Sequence, residues 1–191
     1  GGPLYITHNV FYNVLVHAYD PNRAAAGVVI LHNTSVKSGA PGTWEYGSSY
    51  LHFENNLSIG GGESDRPLVL PTNAALAFHD YNGFGRVGGP LVAEIAGKRF
   101  EGLAALRTIG REPHGVELGL EVFATRPEFP EPTFPARPVP DLRLAERSAA
   151  IDAGRPIPNI NDGFVGKAPD LGAYEYGQAL PIYGPRPFGE E

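Results

Sequence analysis

Ile6-Thr7-His8-Asn9-Val10-Phe11, Ile30-Leu31-His32-Asn33-Thr34-Ser35 and Phe53-Glu54-Asn55-Asn56-Leu57-Ser58 are three versions of one phrase, and Phe78-His79-Asp80-Tyr81 is a weaker fourth. Their first residues lie 24, 23 and 25 positions apart. Each version runs through β-branched or aromatic residues to an Asn pivot and on to a second short apolar run, a pattern that helical spacing does not fit. A period of about 22 to 26 residues holds three strands of roughly 3 to 5 residues plus corners, which is one turn of a parallel β-helix. Stacked turns repeat about every 4.8 Å, so Asn9, Asn33 and Asn56 are expected to form an inward structural ladder. In it each amide bonds the next, and the Asn takes the left-handed bend at the corner. The third strand of each turn is read as Leu15 to Tyr19, Thr43 to Gly47 and Pro67 to Leu70.

The rest of the chain is consistent with an all-β, turn-rich domain. It has 191 residues, with 25 Gly and 19 Pro, too many chain breakers for a helical bundle. The formal net charge of -6 opposes a nucleic-acid partner. With no Cys, neither a disulfide framework nor a thiolate metal site is possible. Residues 1–19 are neither an apolar membrane span nor a basic-then-apolar leader, so no membrane partner is expected. The absence of any Met suggests that Gly1 is not the translation start.

Residues 1–84 read as β-helix turns and 85–191 as a C-terminal cap and surface strap of the same domain. The cap contains a short helix starting near Lys98 and stopping at Gly110. Six prolines between Pro127 and Pro140 forbid regular structure there. Such a segment is either a spacer or, since Phe129, Phe134 and Val139 interleave with the prolines, a strap along the surface. About three to four turns are expected, with further turns before Gly1 or a second chain against the first turn.

The Asn pivots at this spacing are similar to those of the pectate-lyase-like superfamily of right-handed parallel β-helices. His79-Asp80-Tyr81-Asn82-Gly83-Phe84, Gly110-Arg111-Glu112-Pro113-His114, Ala150-Ile151-Asp152-Ala153-Gly154 and Ala168-Pro169-Asp170-Leu171-Gly172-Ala173-Tyr174-Glu175 resemble the C-terminal end of bacterial proteins of this kind. The resemblance implies a secreted or cell-surface protein that binds or cleaves an extracellular polysaccharide, as a lyase or a hydrolase. It equally admits a non-catalytic scaffold or adhesin end.

Ligands of such folds lie along an outer sheet, and the third strand set gathers the matching side chains. Tyr19, Trp44 and Tyr46 are candidates for stacking on sugar rings. Trp44 and Tyr46 could instead pack under the loop from Ser38 to Ser49. Elimination from an acidic sugar needs a base and a cation beside the carboxylate, here His17 with Lys37 or Arg66. Hydrolysis needs two carboxyl groups, for which Asp20 and Glu45 are the nearby pair. No cofactor is implied by a motif. His8, His32, His52 and His79 read as ladder members rather than metal ligands, while Asp152, Asn159, Asn161, Asp162 and Asp170 carry oxygens that Ca²⁺ would accept and equally suit turns.

Overall fold

The computed structural model describes residues 3–19, 26–40, 50–61, 68–70 (backbone), 76–95, 97–131 and 135–181. Among them run strands β1 (Leu4–Thr7), β2 (Val10–Tyr12), β3 (Val28–Leu31), β4 (Thr34–Val36), β5 (His52–Glu54), β6 (Leu57–Gly61), β7 (Leu68–Leu70), β8 (Phe78–Asp80), β9 (Gly83–Val87), β10 (Val92–Ile95), β11 (Lys98–Glu101) and β12 (Val116–Glu117). One helix, α1 (Gly102–Arg107), follows β11. The chain is mostly β, with largely parallel sheets.

The first sheet has the order β1-β3-β5-β8 and the second β12-β9-β6-β4-β2, both parallel throughout. The third sheet joins β7 to β10 in parallel and β10 to β11 in antiparallel fashion. Except for β10 and β11, strands that follow one another in sequence thus belong to different sheets, and strands one repeat apart are hydrogen-bonded neighbours.

A column of side-chain amides holds the corner between the first two sheets. Asn9 donates from N and Nδ2 to Asn33 Oδ1 (3.0 and 3.1 Å), Asn33 likewise to Asn56 Oδ1 (3.0 and 3.0 Å), and Asn56 to Asn82 Oδ1 (2.9 and 3.1 Å). Asn82 ends the column on the buried Glu112 carboxyl group, with N to Oε2 at 3.3 Å and Nδ2 to Oε1 at 2.9 Å. The left-handed residue is the one before each pivot, contrary to the expectation that the Asn itself would adopt it. His8, His32, Asn55 and Tyr81 have φ between 52° and 57°. The strain falls on the preceding residue because the pivot must aim its amide along the stack.

Alternation along the strands divides their side chains between an interior and an outer face. Ile30, Phe53 and Phe84 point inward and join Tyr19, Ala93, Ile95, Leu103 and Leu106 in one core. On the second sheet, Val36, Leu57 and Ile59 point outward and meet a second cluster from Leu120, Val122, Leu142, Leu144 and Leu171. Residues beyond 116 therefore cover that face. Gly83 and Gly85 make this possible. A Cβ at Gly85 would run into the Leu118 carbonyl oxygen, and one at Gly83 would press on Leu118 and Leu57 side chains.

Three further expectations change. Leu15 to Tyr19 forms bends with a bridge at Tyr19 rather than a strand. Lys98 to Glu101 is a strand, not the start of the helix, because it pairs with the buried β10 from Val92↔Glu101 to Ile95↔Lys98. Gly102 (φ 72°) then turns the chain into a helix that buries only Leu103 and Leu106. Finally, the strand pattern runs past residue 84. β9 crosses that position, and β10 and β12 add to sheets begun earlier. The Pro-rich segment lies against the second sheet. Tyr12 Oη donates to the Glu128 carbonyl (2.7 Å), Asn13 Nδ2 to that of Pro135 (2.9 Å), and Phe129 packs on the second cluster.

Candidate functional site

The exposed chemistry collects on the outer face of the first sheet. Phe53 and His79 point inward, so their flanking residues point out. The register sets Tyr5, Val29, His52 and Phe78 in one row and Thr7, Leu31, Glu54 and Asp80 in the next. Tyr5 is 62% exposed and Phe78 39%, leaving two ring faces in solvent along one row. Tyr50, at the approach to β5, is exposed as well.

Two carboxylate–imidazole pairs stand on adjacent strands in this face. His52 Nε2 lies 2.5 Å from Glu54 Oε2. Asp80 Oδ1 accepts the backbone N–H of Tyr81 (2.8 Å) and of His114 (2.8 Å), and Asp80 Oδ2 faces His114 Nδ1 at 2.7 Å. An ionised carboxylate only accepts, so Nδ1 carries the proton and His114 Nε2 is left as the basic nitrogen. The His114 ring stacks on Tyr81 at 4.4 Å, and its side chain is 58% exposed.

Arg155 comes from the distant C-terminal segment. Its guanidinium lies over the rings of Phe78 (5.1 Å) and Tyr81 (5.8 Å). It pairs with buried Glu54 through Nε, and through Nη2 at 2.9 Å. The backbone of Arg155 is held in turn by Asn55, whose Oδ1 accepts its N–H (2.8 Å) and whose Nδ2 donates to its carbonyl (2.8 Å). A cation, an oriented base and exposed ring faces thus share one surface, an arrangement able to stack on a sugar and to move a proton at it.

The residues singled out from sequence are distributed otherwise. Tyr19 is 1% exposed, edge-on to Phe11 (5.3 Å) and Phe53 (5.7 Å), so it is a core residue and not a sugar-stacking one. Lys37 is buried, and its Nζ donates to the carbonyls of Ser38 and, at 3.0 Å, Ala40. Burial lowers its pKa to about 8. Its ammonium serves the backbone instead of facing a carboxylate in a groove. His17 is half-buried in the bends before β3. Asp20, Trp44, Glu45, Tyr46 and Arg66 lie outside the described residues.

The carboxyl groups considered for Ca²⁺ act as turn acceptors. Asp152 Oδ1 takes the N–H of Lys167 (2.6 Å) and Ala168 (3.1 Å), Asp170 Oδ1 that of Asp152 (2.8 Å), and Asp162 Oδ2 that of Asn159 (2.8 Å). Among the described residues no group of three or more His, Asp or Glu is arranged to hold a metal ion. His52-x-Glu54 and Phe78-x-Asp80, one repeat apart, were a readable signal for the outer-face pairs. Nothing local tied His114 or Arg155 to them.

Over 175 residues, 89% of the chain, the sequence is 28% identical to pectate lyase L of Dickeya chrysanthemi and 27% identical to pectate lyase L of Dickeya dadantii (strain 3937). The chain spans about a third of the length of these relatives, the match covering 33% of each. No family model matches, and no solved structure does. No helix among the described residues is long and apolar enough to cross a membrane.

Proposed function

We propose that the chain is part of a pectate-lyase-like, right-handed parallel β-helix protein, secreted or at the cell surface, that acts on an extracellular polysaccharide along the outer face of its first sheet. The amide stack from Asn9 to Asn82 carries the reading, in a chain with pectate lyase L similarity over most of its length. On this view consecutive repeats are consecutive turns, and Tyr5 and Phe78 offer exposed rings in one outer row, three strands apart. Arg155 supplies a cation for a uronate carboxylate. His114 Nε2 takes the proton next to that carboxylate, and the electron pair left behind forms the double bond as the glycosidic oxygen departs.

A second reading has an observation of its own. Glu54 is fully buried and Asp80 accepts three hydrogen bonds, as expected of groups that dock the C-terminal segment on a non-catalytic β-helix end. The two readings separate in a product assay. The protein is incubated with acidic and neutral polysaccharides, and unsaturated ends are followed by ultraviolet absorbance while new reducing ends report hydrolysis. Unsaturated product that falls with His114→Ala supports the proposal. No product, together with no retention on any polysaccharide gel, removes it.

A further inference from the structure

A cleft of about 370 Å³ opens beside the Asn corner, along the residues that precede the first pivots. Its size lies within the range of roughly 300–1,000 Å³ typical of small-molecule sites. One wall is the stacked pair His8 and His32, with ring centroids 4.9 Å apart and planes within 5°. The opposite wall comes from the segment 160–181, including Asn161, Phe164, Glu175 and Gln178.

The polar groups of this cleft are fixed in uncharged or compensated states. His32 Nε2 accepts from Asn55 Nδ2 (2.9 Å) and Asn161 Nδ2 (2.6 Å), so that ring is neutral and immobile. Burial depresses the pKa of His32 to about 3 and also lowers that of His8. The two Glu175 oxygens receive the N–H groups of Val165 (2.9 Å) and Asp170 (3.1 Å). Gln178 Nε2 donates to the Gly163 carbonyl (2.6 Å), leaving its Oε1 an acceptor. The half-buried ring of Phe164, Ile160 and Ala173 give the cleft an apolar side.

We propose that this cleft is a binding site for a single neutral pyranose unit, stacked on its apolar side and hydrogen-bonded by His8 and Gln178. The wall argues for that class directly. A neutral sugar has one C–H face and a rim of hydroxyls that both donate and accept, matching a ring face beside imidazole and amide groups. A uronate or a phosphate would meet Glu175 in the wall and no Lys or Arg among the described lining residues. The cleft adjoins the first-sheet pairs through Asn55, whose Nδ2 reaches both His32 Nε2 and the Arg155 carbonyl, and its ligand does not depend on the elimination reading. It would hold a neutral end or branch of whatever glycan the protein meets.

The test uses saturation-transfer NMR and titration of the full chain with methyl galactoside, methyl glucoside, L-rhamnose and, as the charged counterpart, D-galacturonate. At least one neutral sugar should receive saturation with galacturonate unaffected. His8→Asn keeps a residue suited to a positive φ while deleting the ring, and Gln178→Ala alters an exposed turn. Each should weaken the neutral sugar at least tenfold, with circular dichroism and melting temperature unchanged. Galacturonate bound in preference, no saturation of any sugar, or affinity indifferent to both variants would overturn the proposal. Polysaccharide turnover that survives His8→Asn while sugar binding is lost separates this site from that of the proposed function. Loss of turnover in His114→Ala with sugar binding intact does the same in reverse.

Discussion

Asn82 donates both its backbone N–H and its side-chain Nδ2 to the buried carboxyl group of Glu112, so a stack of four neutral amides ends on a titratable group. Burial pushes the Glu112 pKa up from 4.5 to about 8, outweighing the two Asn82 hydrogen bonds that favour the anion. The folded chain therefore holds a proton there that the unfolded chain releases. The resulting stability is complete below about pH 4.5 and is lost as pH rises through about 8. At about 1.4 kcal/mol for each unit between the two pKa values, the loss amounts to a few kcal/mol. Glu112→Gln keeps an acceptor for Asn82 and has no proton to lose. Chemical denaturation between pH 5 and 8 should show a falling midpoint for the native chain and a flatter profile for the variant.

The position of an Asn in the stack should set the cost of removing it. Asn56→Ala strips the acceptor from Asn33 N and Nδ2 and the donor from the Ile30 and Glu54 carbonyls, all buried. At about 1–3 kcal/mol for each orphaned buried group, the loss should be about 3 kcal/mol or more. Asn9 is exposed at the end of the stack, and Asn9→Ala should cost about 1 kcal/mol. Urea titrations of the two variants measure the difference directly; equal losses would mean that the stack does not act as a unit.

Gly85→Ala tests the closeness with which the segment after β12 crosses the second sheet. The added methyl meets the Leu118 carbonyl oxygen, a backbone atom that cannot rotate away. Overpacking of this kind costs about 1–3 kcal/mol. The same change at Gly88, where a Cβ would meet nothing within 4 Å, has a positive φ (94°) as its only penalty. Melting curves should rank Gly85→Ala as the more damaging of the two.

His114 and Asp80 separate chemistry from folding. His114 is exposed, so His114→Ala should leave the melting temperature within a degree or two while lowering turnover of polysaccharide at least tenfold. Asp80→Asn keeps the shape but weakens acceptance from His114 Nδ1, releasing the tautomer that directs Nε2 outward. Its effect should fall on kcat with KM little changed. A rise in KM alone would make Asp80 a docking group for Tyr81 and His114 and nothing more.

The corner of the fold was readable because the repeat writes it several times. One Asn among polar residues says little, but Asn9, Asn33 and Asn56 at nearly equal spacing, each between two short apolar runs, specify hydrogen-bonded neighbours. The fourth member was harder. Asn82 is followed by Gly83 instead of an apolar residue, because the Leu118 side chain occupies the space a larger residue would need. The fifth position is a glutamate, which no Asn pattern can find.

The candidate site was less legible, for a similar reason. His52, Glu54, Phe78 and Asp80 share a face by strand alternation alone, yet Arg155 joins them across about a hundred residues of chain, through contacts that only the tertiary structure creates. Tyr19 misled because an aromatic at the end of a short strand reads equally as outer face or core. Its ring is enclosed by Phe11 and Phe53, residues that lie in other strands.

The most direct test of the central claim is affinity electrophoresis of the protein through gels cast with acidic or neutral polysaccharides, run beside Arg155→Ala and a non-binding reference of similar charge. Retardation of the native chain in at least one polysaccharide, reduced in the variant, is the predicted result. Migration identical to the reference in every gel would contradict it.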